Sequence, residues 1–121
     1  MSEAPPRKVA VVDDDAAVRD SLRFFLEVMG YGVATFESAA EFLNAAMNDV
    51  ACLILDHHMP VMTGLELAEK LHADGSAIPI LLITGSPSPA MVARASGLGI
   101  KVLDKPPGED DLLDFIGRIR G

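Results

Sequence analysis

The residues of this chain best suited to chemistry are acids that stand where apolar runs end. Asp13, Asp14 and Asp15 follow the run VAVV, and Asp56 follows the run VACLIL. Carboxylates held this close repel one another, which raises the cost of ionising each of them. A divalent cation would neutralise the repulsion, and oxygen ligands suit Mg²⁺, which is usually held by one or two carboxylates and also contacts phosphate. The acids therefore predict a magnesium site.

Two further polar side chains follow apolar runs in the second half of the chain. Thr84 comes directly after IPILLI, and Lys105 comes shortly after IKVL. An aspartate can act as the nucleophile that becomes an aspartyl phosphate. The ammonium and hydroxyl would then bind the phosphoryl oxygens, and Gly85 beside Thr84 leaves space for the phosphoryl group to enter. Together these groups indicate phosphoryl transfer to Asp56, which depends on positioning and charge neutralisation.

Apolar runs of strand length alternate with segments of helical period along the chain. Strands are predicted at 9–12, 32–36, 50–55, 78–83 and 100–103, and helices at about 16–29, 38–47, 64–73, 89–97 and 109–118. This alternation is typical of an α/β domain with a doubly wound parallel sheet covered by helices on both faces. Ligands of such sheets bind at the carboxyl ends of the strands. The acids, the hydroxyl and the ammonium should therefore meet at one edge of the sheet.

Capping patterns mark where the first two helices begin and assign one of the three consecutive acids to a helix cap. Asp15 is predicted as the N-cap of the first helix, which leaves Asp13 and Asp14 for the metal. Ser38 and Glu41 form a capping-box pattern before the second helix. In a competing interpretation, the acidic cluster only favours a helix start. One capping residue suffices for that, so the metal interpretation is preferred.

Length and charge narrow the class of function. With 121 residues the chain is one domain, for which we predict a disordered tail at 1–6 and a folded domain at 7–121. The net charge of −8 and the scattered basic residues argue against direct binding of nucleic acid. No apolar stretch is long enough to span a membrane or to act as a secretory signal, so a cytoplasmic location without membrane contact is expected. The single cysteine, Cys52, is expected to be a buried, inert thiol.

Four separated pieces of the sequence carry a family resemblance. They are VVDDD, LILDHHMPVMTGLEL, LLITG and LDKP, in this order. The arrangement resembles the receiver domain of bacterial two-component response regulators over residues 7–119, and the second piece is most similar to regulators that join a receiver to a helix-turn-helix output domain. The resemblance implies a flavodoxin-like, CheY-like fold with five parallel strands in the order 2-1-3-4-5 and five flanking helices.

The resemblance also assigns roles to individual residues. Asp56 would be the phosphoacceptor, in a site that binds Mg²⁺. The other roles fall on Asp13 and Asp14 (acids at the metal), His58 (a backbone carbonyl to the metal), Thr84 (the switch hydroxyl) and Lys105 (the phosphate contact, with a cis bond to Pro106).

The partners and the type of activity are likewise implied by the family. A sensor histidine kinase or a phosphotransfer protein would donate the phosphoryl group. The domain would be a signalling module and not an enzyme, beyond its own phosphorylation and slow autodephosphorylation. Phosphorylation would repack the face formed by helix four, strand five and helix five, through which the domain could also form a homodimer.

The sequence departs from the family on this expected output face. Val102 stands where the usual switch aromatic is found, three residues before Lys105, and the segment after LDKP begins PGEDD. The departure leaves an alternative open, namely a degenerate receiver that acts as a phosphorylation-independent interaction module.

Two other functions are less favoured. Transition-metal binding by His57 and His58 lacks a third ligand, and adjacent side chains diverge on extended backbone. His58 is instead expected to tune the access of water to the acyl phosphate. A flavodoxin-like mononucleotide binder would need a phosphate-cradling loop after strand one, where DDDAA would repel phosphate.

Overall fold

The computed structural model describes residues 8–46 and 48–120, so the tail predicted at 1–6 lies outside the described residues. Five parallel strands form one sheet in the order β2-β1-β3-β4-β5, which confirms the order that the resemblance implied. No helix of the described ranges has the length and apolar character needed to cross a bilayer. The elements are β1 (Lys8–Val12), α1 (Ala16–Val28), β2 (Gly32–Phe36), α2 (Ala39–Ala45), β3 (Val50–Asp56), α3 (Gly64–Ala73), β4 (Ile80–Thr84), α4 (Pro89–Gly97), β5 (Lys101–Asp104) and α5 (Glu109–Arg120).

Each face of the sheet carries its own apolar core, because successive strand residues point to opposite faces. Val9 and Val11 of β1 pack with residues of α1 and α5. Ala10 and Val12 pack on the other face with residues of α2, α3 and α4. All seven residues of β3 are buried, as expected for a central strand covered on both faces. The doubly wound architecture predicted from the sequence is therefore confirmed.

The ends of several elements differ from the prediction. Helix α1 ends at Val28. The helical period of the sequence places Met29 on the apolar face with Val18, Leu22, Phe25 and Leu26, but Met29 is 46% exposed as the C-cap. That prediction was wrong because Gly30, with φ of 94°, turns the chain away one residue after the cap. Strands β3 and β4 each end one residue later than predicted, so Asp56 and Thr84 are their last residues, and β4 begins at Ile80, two residues later than predicted.

Side-chain caps begin the first two helices. Asp15 Oδ1 accepts a hydrogen bond of 2.9 Å from the Ala17 backbone N–H, which confirms the predicted N-cap of α1. The Ser38 hydroxyl accepts from the Glu41 backbone N–H at 3.1 Å. The Glu41 carboxylate, however, accepts from the Glu37 N–H and not from the Ser38 N–H, so only half of the predicted capping box forms.

Cys52 lies on β3, is 0% exposed, and burial raises the pKa of its thiol from 9.0 to about 12. We expect the native thiol to resist a thiol reagent that modifies it after unfolding.

An acid with a raised folded pKa contributes stability that is fully present below the unfolded pKa and is lost as pH rises through the folded value. The free energy of unfolding should therefore fall as the pH rises from about 9 to about 12. The fall should be steeper than in Cys52→Ala by up to about 1.4 kcal/mol per pH unit. Parallel pH slopes for the two proteins in urea denaturation would contradict this.

Candidate functional site

Asp56 is the last residue of the central strand, at the carboxyl edge of the sheet. Its side chain is only 2% exposed, and Oδ1 lies 2.9 Å from the Lys105 ammonium. Within the described ranges, this oxygen accepts no hydrogen bond of good geometry, so the ion pair is its polar contact. A buried carboxylate oxygen with so little hydrogen bonding is costly for the folded state. It is therefore a candidate reactive atom.

Asp13 and Asp14 follow β1, the strand that pairs with β3. An oxygen from each of Asp13, Asp14 and Asp56 lies within 4.8 Å of the others. Asp13 is 3% exposed whereas Asp14 is exposed to solvent. Burial raises the pKa of Asp13, and the negative charge of Asp56 raises it further, although the hydrogen bond from the Asp15 backbone N–H opposes this. The structure thus brings together the three acids predicted from the sequence.

Lys105 is the cation that faces this acidic cluster. Its ammonium lies 2.9 Å from Asp56 Oδ1 and 3.4 Å from Asp13 Oδ2. The peptide bond to Pro106 is cis, as the resemblance implied. Partial burial lowers the pKa of the ammonium, but the close contact with the Asp56 carboxylate and the negative charges of Asp13 and Asp56 outweigh it, so the pKa is raised. Lys105 therefore stays charged at neutral pH and offsets part of the repulsion among the acids.

Thr84 ends β4 and is 0% exposed. Its hydroxyl lies 3.0 Å from Nε2 of His58 and accepts a hydrogen bond of 3.1 Å from the Ser86 backbone N–H. The backbone carbonyl of Thr84 accepts from the Lys105 N–H at 2.9 Å, which couples the ends of β4 and β5. Gly85 has no heavy atom within 4 Å of the position that a Cβ would take, so the space beside Thr84 is open. In this structure the hydroxyl is thus bonded to His58, a contact that was not predicted.

The His57 imidazole contacts the start of α3. Its Nδ1 accepts from the Leu65 backbone N–H at 3.4 Å, and its backbone N–H donates to Ile83 on β4. Burial lowers the pKa of the His57 imidazole, and the adjacent His58, whose ring centroid is 5.0 Å away, lowers it further. Among the residues that the structure describes, the acidic cluster of three contains neither histidine. The geometry thus gives no support to a transition-metal site.

Two residues that the sequence analysis missed fix the surroundings of the acids. The Arg19 guanidinium on α1 donates to the Asp13 backbone carbonyl at 2.7 Å. Gly64, the first residue of α3, packs directly against the backbone carbonyl of Asp56. A glycine at the first position of a helix that follows the β3 loop was a signal for such a close approach. No signal in the sequence pointed to Arg19.

The loop between β3 and α3 contains a strained residue. Val61 has a φ of 71° and is fully exposed. A β-branched residue is an outlier in this left-handed region, which costs an L-residue roughly 1–2 kcal/mol. We expect Val61→Asn to raise the free energy of unfolding by about 1 kcal/mol, because asparagine tolerates the conformation. Val61→Ala, which keeps the Cβ, should change it little in urea denaturation, and equal effects of the two substitutions would contradict the explanation.

The three acids fit a hard divalent cation. They offer carboxylate oxygens, two of the side chains are buried, and Oδ1 of Asp56 lacks a hydrogen bond of good geometry. Oxygen ligands with one exposed member and access for water suit Mg²⁺. The predicted ligation by the His58 carbonyl has no direct support from the distances and stays a prediction.

Strand β5 of the predicted output face has no fully buried residue. Val102 on β5 is half-buried and packs against the core on the α4 side of the sheet. Arg94 of α4 forms two hydrogen bonds to the Glu69 carboxylate of α3, at 2.6 and 3.1 Å. The homodimer predicted for this face stays a prediction.

An open, doubly wound parallel sheet with carboxylates and a lysine at its carboxyl edge is typical of α/β domains that bind ligands at that edge. A comparison with family models matches residues 9–117 to the response regulator receiver domain. The chain therefore belongs to the receiver domains of two-component response regulators, as the resemblance implied.

Relatives and solved structures agree with this assignment. The chain is 40% identical over 106 residues to the transcriptional regulatory protein FixJ of Bradyrhizobium diazoefficiens, a match that covers 87% of this chain and 52% of FixJ. The crystal structure of FixJ-N is similar with a TM-score of 0.83 at 32% identity, covering 96% of this chain and 94% of FixJ-N. The response regulator StyR is similar with a TM-score of 0.86 at 41% identity, covering 94% of this chain and 59% of StyR. The chain spans about half the length of the curated relatives it matches.

Proposed function

We propose that this receiver accepts a phosphoryl group on Asp56 from a sensor histidine kinase or a phosphotransfer protein, with Mg²⁺ as cofactor, and switches a partner-binding surface in response. One observation carries the proposal: three carboxylates and the Lys105 ammonium surround a buried Asp56 oxygen that accepts no hydrogen bond of good geometry from the described residues. The excess negative charge favours binding of a divalent cation, and the bound cation together with Lys105 would then neutralise the charge of an incoming phosphoryl group.

In the proposed reaction an Asp56 carboxylate oxygen attacks the phosphorus of the donor. The new O–P bond forms as the P–N bond of a phosphohistidine breaks, and the electron pair returns to the imidazole nitrogen. Asp13, Asp14, Asp56 and the His58 carbonyl would hold Mg²⁺, which neutralises charge on the phosphoryl oxygens when bound. Lys105 stands 2.9 Å from the acceptor oxygen and supplies a fixed positive charge to the same oxygens.

The switch would begin at Thr84. A phosphoryl oxygen on Asp56 would accept the hydrogen of this buried hydroxyl, which draws the end of β4 toward the site. Because the backbone N–H of Lys105 donates to the Thr84 carbonyl, the movement would reach β5 and the face that it forms with α4 and α5. Val102 is smaller than the usual aromatic, so we infer a smaller repacking of this face.

This domain offers an apolar surface beside the site, on which a phosphodonor protein could pack. A groove of about 420 Å³ between α1 and α5 is lined by Phe25, Pro106 and Pro107 and reaches Lys105. Phe24 and Val28 on α1 are 72% and 61% exposed. We infer that the donor protein packs here while its phosphohistidine meets Asp56, and that the encounter takes place in the cytoplasm.

A test of the proposal is incubation with acetyl phosphate and Mg²⁺, followed by intact mass. We expect one added phosphoryl group, which is lost when EDTA replaces Mg²⁺ and which maps to the peptide containing Asp56 after reductive trapping. A protein that stays unmodified with acetyl phosphate, and is unchanged by Mg²⁺ with beryllofluoride, would favour the degenerate receiver. Modification of an exposed acid instead of Asp56 would overturn the site assignment.

A further inference from the structure

The contact between His58 and Thr84 is the feature of the site that the proposed reaction does not use. Thr84 is fully buried, whereas His58 lies exposed in the loop after β3, 26 residues away in sequence. The Thr84 hydroxyl and Nε2 of His58 are 3.0 Å apart, which is hydrogen-bond distance. A hydrogen bond between a buried hydroxyl of the site and an exposed imidazole on a distant loop can affect how the site uses that hydroxyl.

The other hydrogen bond of the Thr84 hydroxyl indicates which atom donates in the contact with His58. Thr84 Oγ1 accepts from the Ser86 backbone N–H at 3.1 Å, and this bond leaves the hydrogen of the buried hydroxyl still in need of an acceptor. A buried hydroxyl that lacks an acceptor is costly. Among the described residues, Nε2 of His58 is the acceptor in contact with this hydroxyl, and this role assigns the ring proton to the other nitrogen, Nδ1. The only hydrogen that the Thr84 side chain can donate is therefore held by His58.

We propose that His58 is a positioning residue that holds the Thr84 hydroxyl in the unphosphorylated state and competes with the phosphoryl group for it. The inference rests on the proposed function, in which Thr84 donates to a phosphoryl oxygen on Asp56. One hydroxyl hydrogen cannot serve both acceptors, so the bond to His58 must break when Thr84 turns to the phosphoryl group. The imidazole thus favours the resting conformation and lowers the population of the switched one.

The size of the effect follows from a single, partly buried hydrogen bond. Such a bond contributes modestly to stability because water replaces it when it breaks. Since the imidazole of His58 is exposed, we expect its removal to tighten binding of a phosphoryl mimic by about threefold, within a range of about twofold to tenfold.

The experiment measures the apparent Kd of beryllofluoride with Mg²⁺ by NMR titration of backbone amides near Thr84. His58→Phe keeps a ring of similar bulk and removes the acceptor nitrogen, so its Kd should fall about threefold. His58→Gln retains an acceptor oxygen and should restore the wild-type Kd. His72→Phe, a substitution of an exposed histidine near the end of α3, should leave the Kd unchanged. Equal affinities for wild type, His58→Phe and His58→Gln would overturn the proposal.

Two further readouts separate this role from a general structural one. In a Thr84→Val background, His58→Phe should have no effect on the Kd, because the shared hydrogen is absent. In wild type, the ¹⁵N signal of His58 Nε2 should shift on adding beryllofluoride with Mg²⁺ but not on adding Mg²⁺ alone. Failure of wild type to bind beryllofluoride would contradict the proposed function itself. Normal binding with an unchanged Nε2 signal would contradict only the role of His58.

Discussion

Asp56→Asn is expected to abolish modification by acetyl phosphate and, at the same time, to raise the free energy of unfolding of the domain by about 1–2 kcal/mol. The loss of modification follows because an amide is not a nucleophile toward phosphorus. The gain in stability follows from the charges, since Asp56 lies within 4.8 Å of two other carboxylates and faces one ammonium. A residue whose removal both stabilises the fold and ends the reaction is typical of a functional site.

The physical reason is that burial of the Asp56 carboxylate is incompletely compensated. Its side chain is 2% exposed, and its partner Lys105 is 29% exposed and shared with Asp13. Replacing a buried charge by a neutral group of similar shape is often stabilising, because the desolvation cost disappears. Lys105 keeps its second contact with Asp13 and its access to water, so it is not left as an isolated buried charge.

Intact mass and urea denaturation measure the two effects. Asp20→Asn, at an exposed position of α1, removes the same charge and should alter neither modification nor stability beyond about 0.5 kcal/mol. Adding Mg²⁺ should stabilise wild type more than Asp56→Asn, because binding to the native state stabilises it in proportion to affinity. A less stable Asp56→Asn protein in EDTA would contradict the repulsion argument, and undiminished modification would place the phosphoacceptor elsewhere.

The predicted elements were accurate where local chemistry determines them. Strand β2, helix α3 and helix α4 have the predicted bounds, because a β-branched run, a turn glycine or the Ser88 cap marks each end. The prediction that Met29 lies on the buried face of α1 was wrong, because it relied on the helical period alone, and Gly30 turns the chain at this point. Strand order was available only from the family resemblance, since pairing between distant strands leaves no periodic signal in the sequence.

Parts of the candidate site could be predicted from the sequence, and other parts could not. The meeting of Asp13, Asp14 and Asp56 was predictable because carboxyl ends of parallel strands share an edge, whatever the order of the strands. The His58–Thr84 bond was not predictable, because it depends on how the loop after β3 folds back over β4. Thr63 and Glu66 likewise form a complete capping box that begins α3, although the pattern at Ser38 had attracted the prediction. Loop geometry thus limits what the sequence reveals about the site.

Gly64→Ala is expected to destabilise the domain by about 2–3 kcal/mol. A Cβ on Gly64 would meet the backbone carbonyl oxygen of Asp56 and would lie 2.7 Å from Leu82 Cδ1, closer than real contacts allow. Backbone at the end of a central strand cannot move aside as a flexible side chain can, so the strain is not relieved locally. The Gly64 N–H also donates to the His57 carbonyl at 3.0 Å, so a shift of α3 would disturb the loop that carries His58.

The same substitution should slow acetyl phosphate modification by about tenfold or more, because small displacements of a reacting group are costly. Gly117→Ala on α5 is the matched control, since no heavy atom lies within 4 Å of its added Cβ. There the alanine should stabilise the helix by about 0.5–1 kcal/mol and leave modification unchanged. Thermal unfolding and initial rates by intact mass measure both, and opposite signs of the two stability changes are the expected result. If Gly64→Ala matched Gly117→Ala in either measurement, Asp56 would not be held in place by the close approach of α3.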